Sequence, residues 1–223
     1  MTQQPDPPLS PADSMALIDA HQASRLRAQH LGGALLCGVW GVAYLVGWGA
    51  FYLSREHVLP VLVAGILTGV LTVAAIVFSA WFGARLGRGV RGPSQVTWAM
   101  YGCSWTIGFM ALTAVNVGLQ NAGLSDDQVT LLWSGSALLV IGLLYLAGGA
   151  MAHSWPQYVV GAWTMIAGAV SVYVGVPNNF LVLSLAGGGG FLAQAGYYTW
   201  RALRTSNPGP GSDRPVGIDA PAL

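Results

Sequence analysis

From Gln128 to Trp200 the chain carries no Asp, Glu, Lys or Arg, and three earlier stretches are equally free of charge: between Arg27 and Arg55, between Glu56 and Arg85, and between Arg91 and Asp126. Each charged residue placed at the centre of a membrane helix costs about 2.5–3.5 kcal/mol, so long charge-free stretches are what a spanning segment requires. Charged residues make up 8% of the chain and hydrophobic ones 54%, against roughly a quarter charged in a soluble domain. A spanning helix takes about 20 residues. Six runs meet that length: Leu35–Leu53, Val58–Phe82, Val96–Leu119, Val129–Ala150, Pro156–Val176 and Phe180–Trp200. The fold expected is therefore all-α, an integral membrane six-helix bundle over residues 31–203 with no soluble domain attached.

The arginines predict its orientation. Arg25 and Arg27 precede the first run, Arg85, Arg88 and Arg91 separate the second from the third, and Arg201 and Arg204 follow the sixth. The alternate side has only Arg55 beside Glu56, then Asp126 and Asp127, then the uncharged Pro177-Asn178-Asn179. Positive residues mark the cytoplasmic side, so both termini are expected inside a bacterial cytoplasmic membrane. Trp81, Trp98, Trp155 and Trp200 stand at the inner ends and Trp133 at an outer one, as an aromatic belt requires. The first thirty residues lack the basic start and apolar core of a cleavable signal, and the run Leu35–Leu53 reads as a permanent span.

Outside the spans, residues 1–9 and 204–223 are rich in Pro, Gly and polar residues and are expected to be disordered tails. Ser10-Pro11-Ala12-Asp13 is a helix start, with a Ser cap and Pro at the first helical position. The segment 10–30 suits either an interfacial cytoplasmic helix or a solvated extension of the first span. Trp40, Trp98 and Trp155, and likewise Trp48, Trp105 and Trp163, recur at nearly equal spacing in the odd-numbered runs, which suggests three helical hairpins of one plan. Chance plus the aromatic belt explains the same spacing. Cys37 and Cys103 are isolated thiols, expected as packing residues and not as a disulfide or a metal site.

Few chemistries survive inspection. No ionisable side chain lies inside a run, which argues against a membrane carboxylate as proton relay. Ser104, Ser134, Ser136, Ser171 and Ser184 have no basic partner at membrane depth, and His-Glu-x-x-His and the phosphate loop are both missing. The expectation is a protein that is not an enzyme, with no cofactor and no direct binding of nucleic acid. Gly187, Gly188, Gly189 and Gly190 in the sixth run, followed by Gln194, stand out. Four glycines weaken a helix by about 1 kcal/mol each relative to Ala. Either they permit close helix packing, as expected also of Gly65-x-x-x-Gly69 and Ala167-x-x-x-Ser171-x-x-x-Gly175, or they break the helix and line a cavity. Asn116, Gln120 and Asn121 form a candidate outer polar cluster, and Arg85, Arg88 and Arg91 an inner positive flank.

Five segments carry a resemblance: Met15–His21 (MALIDAH), Val39–Gly47 (VWGVAYLVG), Ser104–Phe109 (SWTIGF), Gly142–Gly149 (GLLYLAGG) and Leu185–Phe191 (LAGGGGF). Through them the chain resembles an uncharacterised family of six-span membrane proteins of high-GC bacteria, over about residues 12–203. The resemblance implies the six-span fold and a neighbourhood of winged-helix regulators, and it implies no activity. Two functions follow as expectations: a membrane component of small-molecule transport, permease or exporter subunit with a separate ATPase, or a membrane sensor or anchor for a cytoplasmic regulator. The bilayer is the expected partner in both, with self-association through small-residue faces as a further one.

Overall fold

The computed structural model describes residues 10–86 and 93–205. The expected N-terminal tail, most of the C-terminal one, and Arg88 and Arg91 of the positive flank lie outside the described residues. The elements in order are α1 (Pro11–Arg55), α2 (Val61–Leu86), α3 (Pro93–Asn121), α4 (Asp126–Met151), α5 (Trp155–Val174), the short α6 (Asn178–Leu181), a π-helical segment (Val182–Gly188) and α7 (Gly189–Thr205). There is no strand among the described residues. Six helices are long and apolar enough to cross a membrane, the sixth being α6, the π segment and α7 read as one rod. The described residues are all-α, with six such helices.

Local chemistry sets the ends of these helices. α1 begins where the Ser14 amide donates to the Ser10 carbonyl, and it continues unbroken through the first apolar run. It ends where His57 turns left-handed (φ 59°) and the Val58 amide reaches back to the Leu53 carbonyl. α2 starts three residues later than the apolar run does, because the Pro60 carbonyl is the first acceptor of the helix, taking the Val63 and Ala64 amides. α4 opens on a capping box: the Ser125 side chain accepts from the Gln128 amide, and the Gln128 side chain accepts from the Ser125 amide. Asp126 and Asp127 in its first turn add favourable charge at the helix N-terminus. α5 stops at Val174, two residues short of expectation, since Gly175 takes φ 73° and Pro177 follows.

Residues Leu36–Ala195 form one compact unit. Its tightest contact joins α4 to α5, where glycines bring backbone against backbone. A Cβ on Gly142 would lie 2.8 Å from the Gly161 carbonyl oxygen, and one on Gly161 would lie 2.9 Å from that of Gly142. A Cβ on Gly149 would meet the Tyr158 amide nitrogen at 2.7 Å, and one on Gly168 the Leu138 Cβ at 2.7 Å. Gly135, Gly142 and Gly149, like Gly161 and Gly168, recur every seventh residue and so share one face. Between helices already surrounded by hydrocarbon, such small residues gain van der Waals contact by letting the backbones approach.

Hydrogen bonds join the other helices of this unit. Thr68 Oγ1 of α2 donates to the Gly47 carbonyl of α1 at 3.1 Å, and Trp40 Nε1 donates to Ser79 Oγ at 3.0 Å. Tyr101 of α3 donates to the Leu144 carbonyl of α4 at 2.9 Å. α2 and α3 turn most of their apolar side chains outward, among them Leu62, Ile66, Val70, Ile107 and Met110. Such faces suit lipid contact. Gly65 and Gly69 lie where an added Cβ would meet nothing within 4 Å, so the close packing expected of them is not made within this chain. The α5 motif is met in part: Ala167 and Ser171 are buried, while Gly175 serves the helix end. Both thiols are free, Cys37 buried and Cys103 exposed.

The second unit takes in the described parts of Met1–Leu35 and Gly196–Leu223. Within it the His30 and Tyr198 rings stack at 6.1 Å, and Gly33 leaves room for the Tyr198 ring, which a Cβ would approach to 3.0 Å. Arg204 lies over the Trp200 ring at 4.1 Å and Arg201 over Tyr197 at 5.9 Å.

Candidate functional site

The glycine run of the sixth helix coincides with a change of helical type. The π-helical segment Val182–Gly188 ends inside the four glycines, and α7 starts at Gly189. A π turn in the middle of a helix is rare and often marks a functional position. The widened turn is tied on both sides. Trp163 Nε1 of α5 donates to the Ala186 carbonyl at 2.9 Å, and Ser184 Oγ donates to the Leu45 carbonyl of α1 at 2.7 Å.

The glycines divide by role. A Cβ on Gly188 would lie 2.8 Å from the Leu45 amide nitrogen and 3.0 Å from the Gly41 carbonyl oxygen. One on Gly190 would fall 2.6 Å from the Trp163 ring, and one on Gly187 3.1 Å from that of Tyr44. Gly189 has nothing within 4 Å. Three of the four thus sit against neighbouring helices, as close packing requires, and neither cleft among the described residues is lined by any of the four. Gln194 is buried one turn further along.

The polar trio on α3 separates. Asn116 is buried and its Nδ2 donates to Ser136 Oγ of α4 at 2.9 Å, whereas Gln120 and Asn121 are exposed. Asn116 therefore serves as a polar clasp between α3 and α4. Of the positive flank, Arg85 is described: it is exposed, with its guanidinium 5.4 Å from the Trp81 ring centre.

A cleft of about 570 Å³ opens where the last turn of α1, the start of α2, the start of α4 and the first turn of the sixth helix meet. Its wall is aromatic. Phe180 stacks on Trp48 at 6.0 Å and on Phe51 at 5.7 Å, and Trp133 faces the same space from α4. Ser54, Arg55 and Thr130 supply the polar lining. Arg55 reaches Asp127 Oδ1 at 3.7 Å in an exposed pair. Beside Phe180 in the chain, Asn179 is wholly buried and neither atom of its side-chain amide has a hydrogen-bond partner. A second cleft, of about 430 Å³, is apolar throughout and lies between α1, α2 and Leu181.

Sequence reading did not assemble the aromatic cleft. In the sequence Arg55 bears only on orientation, Trp133 only on the aromatic belt and Trp48 only on the hairpin spacing, while Phe51 and Phe180 belong to apolar runs in which an aromatic carries no signal of its own. The one available clue was that Arg55 is the sole basic residue on its side. The described residues include no group of three or more His, Cys, Asp or Glu able to hold a metal ion. Comparison of the chain with protein-family models, curated proteins and solved structures finds no match.

Proposed function

We propose that the chain is a membrane component of small-molecule transport, a permease or the membrane subunit of an exporter, set in a bacterial cytoplasmic membrane with both termini inside. The observation that carries this reading is the interrupted sixth helix. Its π segment and glycines replace stiff α-helix with a weakened stretch, which begins two residues after Phe180 of the aromatic cleft. Transporters use such broken helices where substrate must pass from one side to the other. The orientation follows from the arginines, with the cleft facing outward.

A second reading, a membrane anchor or sensor for a regulator, draws on α1. This helix has 45 residues, where a span needs about 20, so its N-terminal part is available outside the bilayer. Affinity purification of the full chain in mild detergent separates the readings. An exporter subunit brings down a nucleotide-hydrolysing protein, and Arg85, Arg88 and Arg91 changed to Gln reduce that capture. An anchor brings down a DNA-binding protein, which is lost when residues 1–29 are removed. Recovery of the chain alone counts against both partner forms and leaves a stand-alone permease or a purely structural membrane protein, and loss of a DNA-binding partner on truncation counts directly against transport.

A further inference from the structure

The geometry points to the cleft at Arg55 as a binding site for an amphipathic anion: an apolar body seated between Trp48, Trp133 and Phe180, and an acidic head on the Arg55 guanidinium. This goes beyond transport, since it holds whether the ligand is moved, sensed or retained. Three features carry it. A cleft of about 570 Å³ falls within the range of small-molecule sites, which pair apolar walls with a few placed polar groups. Its walls are rings already held in place, because Phe180 is buried and stacked on both Trp48 and Phe51. Its polar lining is confined to Ser54, Arg55 and Thr130, so the cation marks one pole.

The charges around the mouth set the competition. Asp127 approaches Arg55 through a single long contact of 3.7 Å. A guanidinium has five N–H donors, and an exposed pair of this kind contributes little, so an incoming anion can take its place. Glu56 follows Arg55 in the chain, and Asp126 precedes Asp127. With these carboxylates nearby a small inorganic anion has no advantage, and the apolar body must supply part of the binding. The same chemistry is offered by the headgroup of an anionic lipid and by a free long-chain acid.

Native mass spectrometry of the full purified chain in neutral detergent tests the assignment. The probes are dioleoyl phosphatidylglycerol, dioleoyl phosphatidylcholine and oleate, with oleyl alcohol as the neutral match to oleate. At least one anionic probe should be retained roughly fivefold or more over its neutral match, the size expected for one arginine near the membrane surface. Arg55→Gln should abolish that preference, Asp127→Asn should increase it, and Trp133→Ala should lower retention of the anion while the protein stays monodisperse. Preference confined to phosphatidylglycerol identifies a lipid site, and preference confined to oleate a site for free acids. The assignment is overturned if neither anion is preferred, or if Arg55→Gln leaves the preference intact. Asp127→Asn keeps it falsifiable should the arginine variant fold poorly, because an unchanged or weakened preference there also sinks the idea.

Discussion

Adjacent glycines in the sixth helix carry opposite consequences. Gly188 lies against the α1 backbone, where a Cβ would stand 2.8 Å from the Leu45 amide nitrogen, a position that cannot give way without moving the helix. Gly189 faces open space. Gly188→Ala should therefore lower the yield of folded protein and its melting temperature in detergent. Gly189→Ala should leave both unchanged or raise them, by up to about 1 kcal/mol of helix propensity. Equal loss from both would show that the run is held by something other than the approach to α1. Sequence located the run and its cost but not this division. Neighbouring positions on a helix point about 100° apart, and which of them meets a partner depends on the rotation of the whole rod.

At the scale of elements, the same motif type reads two ways. The spacing of Gly65 and Gly69 is what a packed membrane helix pair uses, yet both face away from the rest of the chain. Gly135, Gly142, Gly149, Gly161 and Gly168 carry no short packing motif in the sequence, yet they make the α4–α5 contact. A heptad of glycines is visible only when two runs are compared for a common face, and sequence alone does not say which runs are neighbours. Gly142→Leu should abolish accumulation of folded protein, since its Cβ alone would meet the Gly161 carbonyl oxygen at 2.8 Å. Overpacking costs of about 1–3 kcal/mol per site are common even where a core adjusts. Gly65→Leu with Gly69→Leu should leave the monomer folded, as seen by size-exclusion chromatography and thermal melting. Loss of the monomer in the double variant would mean that α2 packs more closely than described.

For the whole molecule, the fold was the most legible part of the sequence. The hydrocarbon solvent imposes one rule on every residue of a span, and exclusion of charge records it six times over. The first span was drawn as Leu35–Leu53, while its helix extends to Pro11, because hydropathy marks where a helix meets lipid and not where it ends. The site was less legible, since the aromatic cleft draws on four separate helices. Orientation has its own measurement. In a background lacking Cys37 and Cys103, single cysteines at Arg55 and Asp126 should react with an impermeant thiol reagent in intact cells, and cysteines at Arg88 and Thr205 should not. Reaction at Arg88 from outside would reverse the arrangement and place the cleft on the cytoplasmic face.

The π segment also has a bearing on how this chain can gain and lose residues. A π turn holds more residues than an α turn, so it accommodates what is in effect one insertion in the sixth helix. Deleting a residue between Val182 and Gly188 can close that turn to ordinary α-helix and keep the downstream faces in register, so that Phe191 still meets Tyr44 and Tyr145. A deletion within α4 or α5 has no slack to absorb it and turns every later side chain by about 100°, carrying the glycines of one helix away from those of the other. A one-residue deletion should therefore be tolerated in this stretch of the sixth helix and not within α4 or α5.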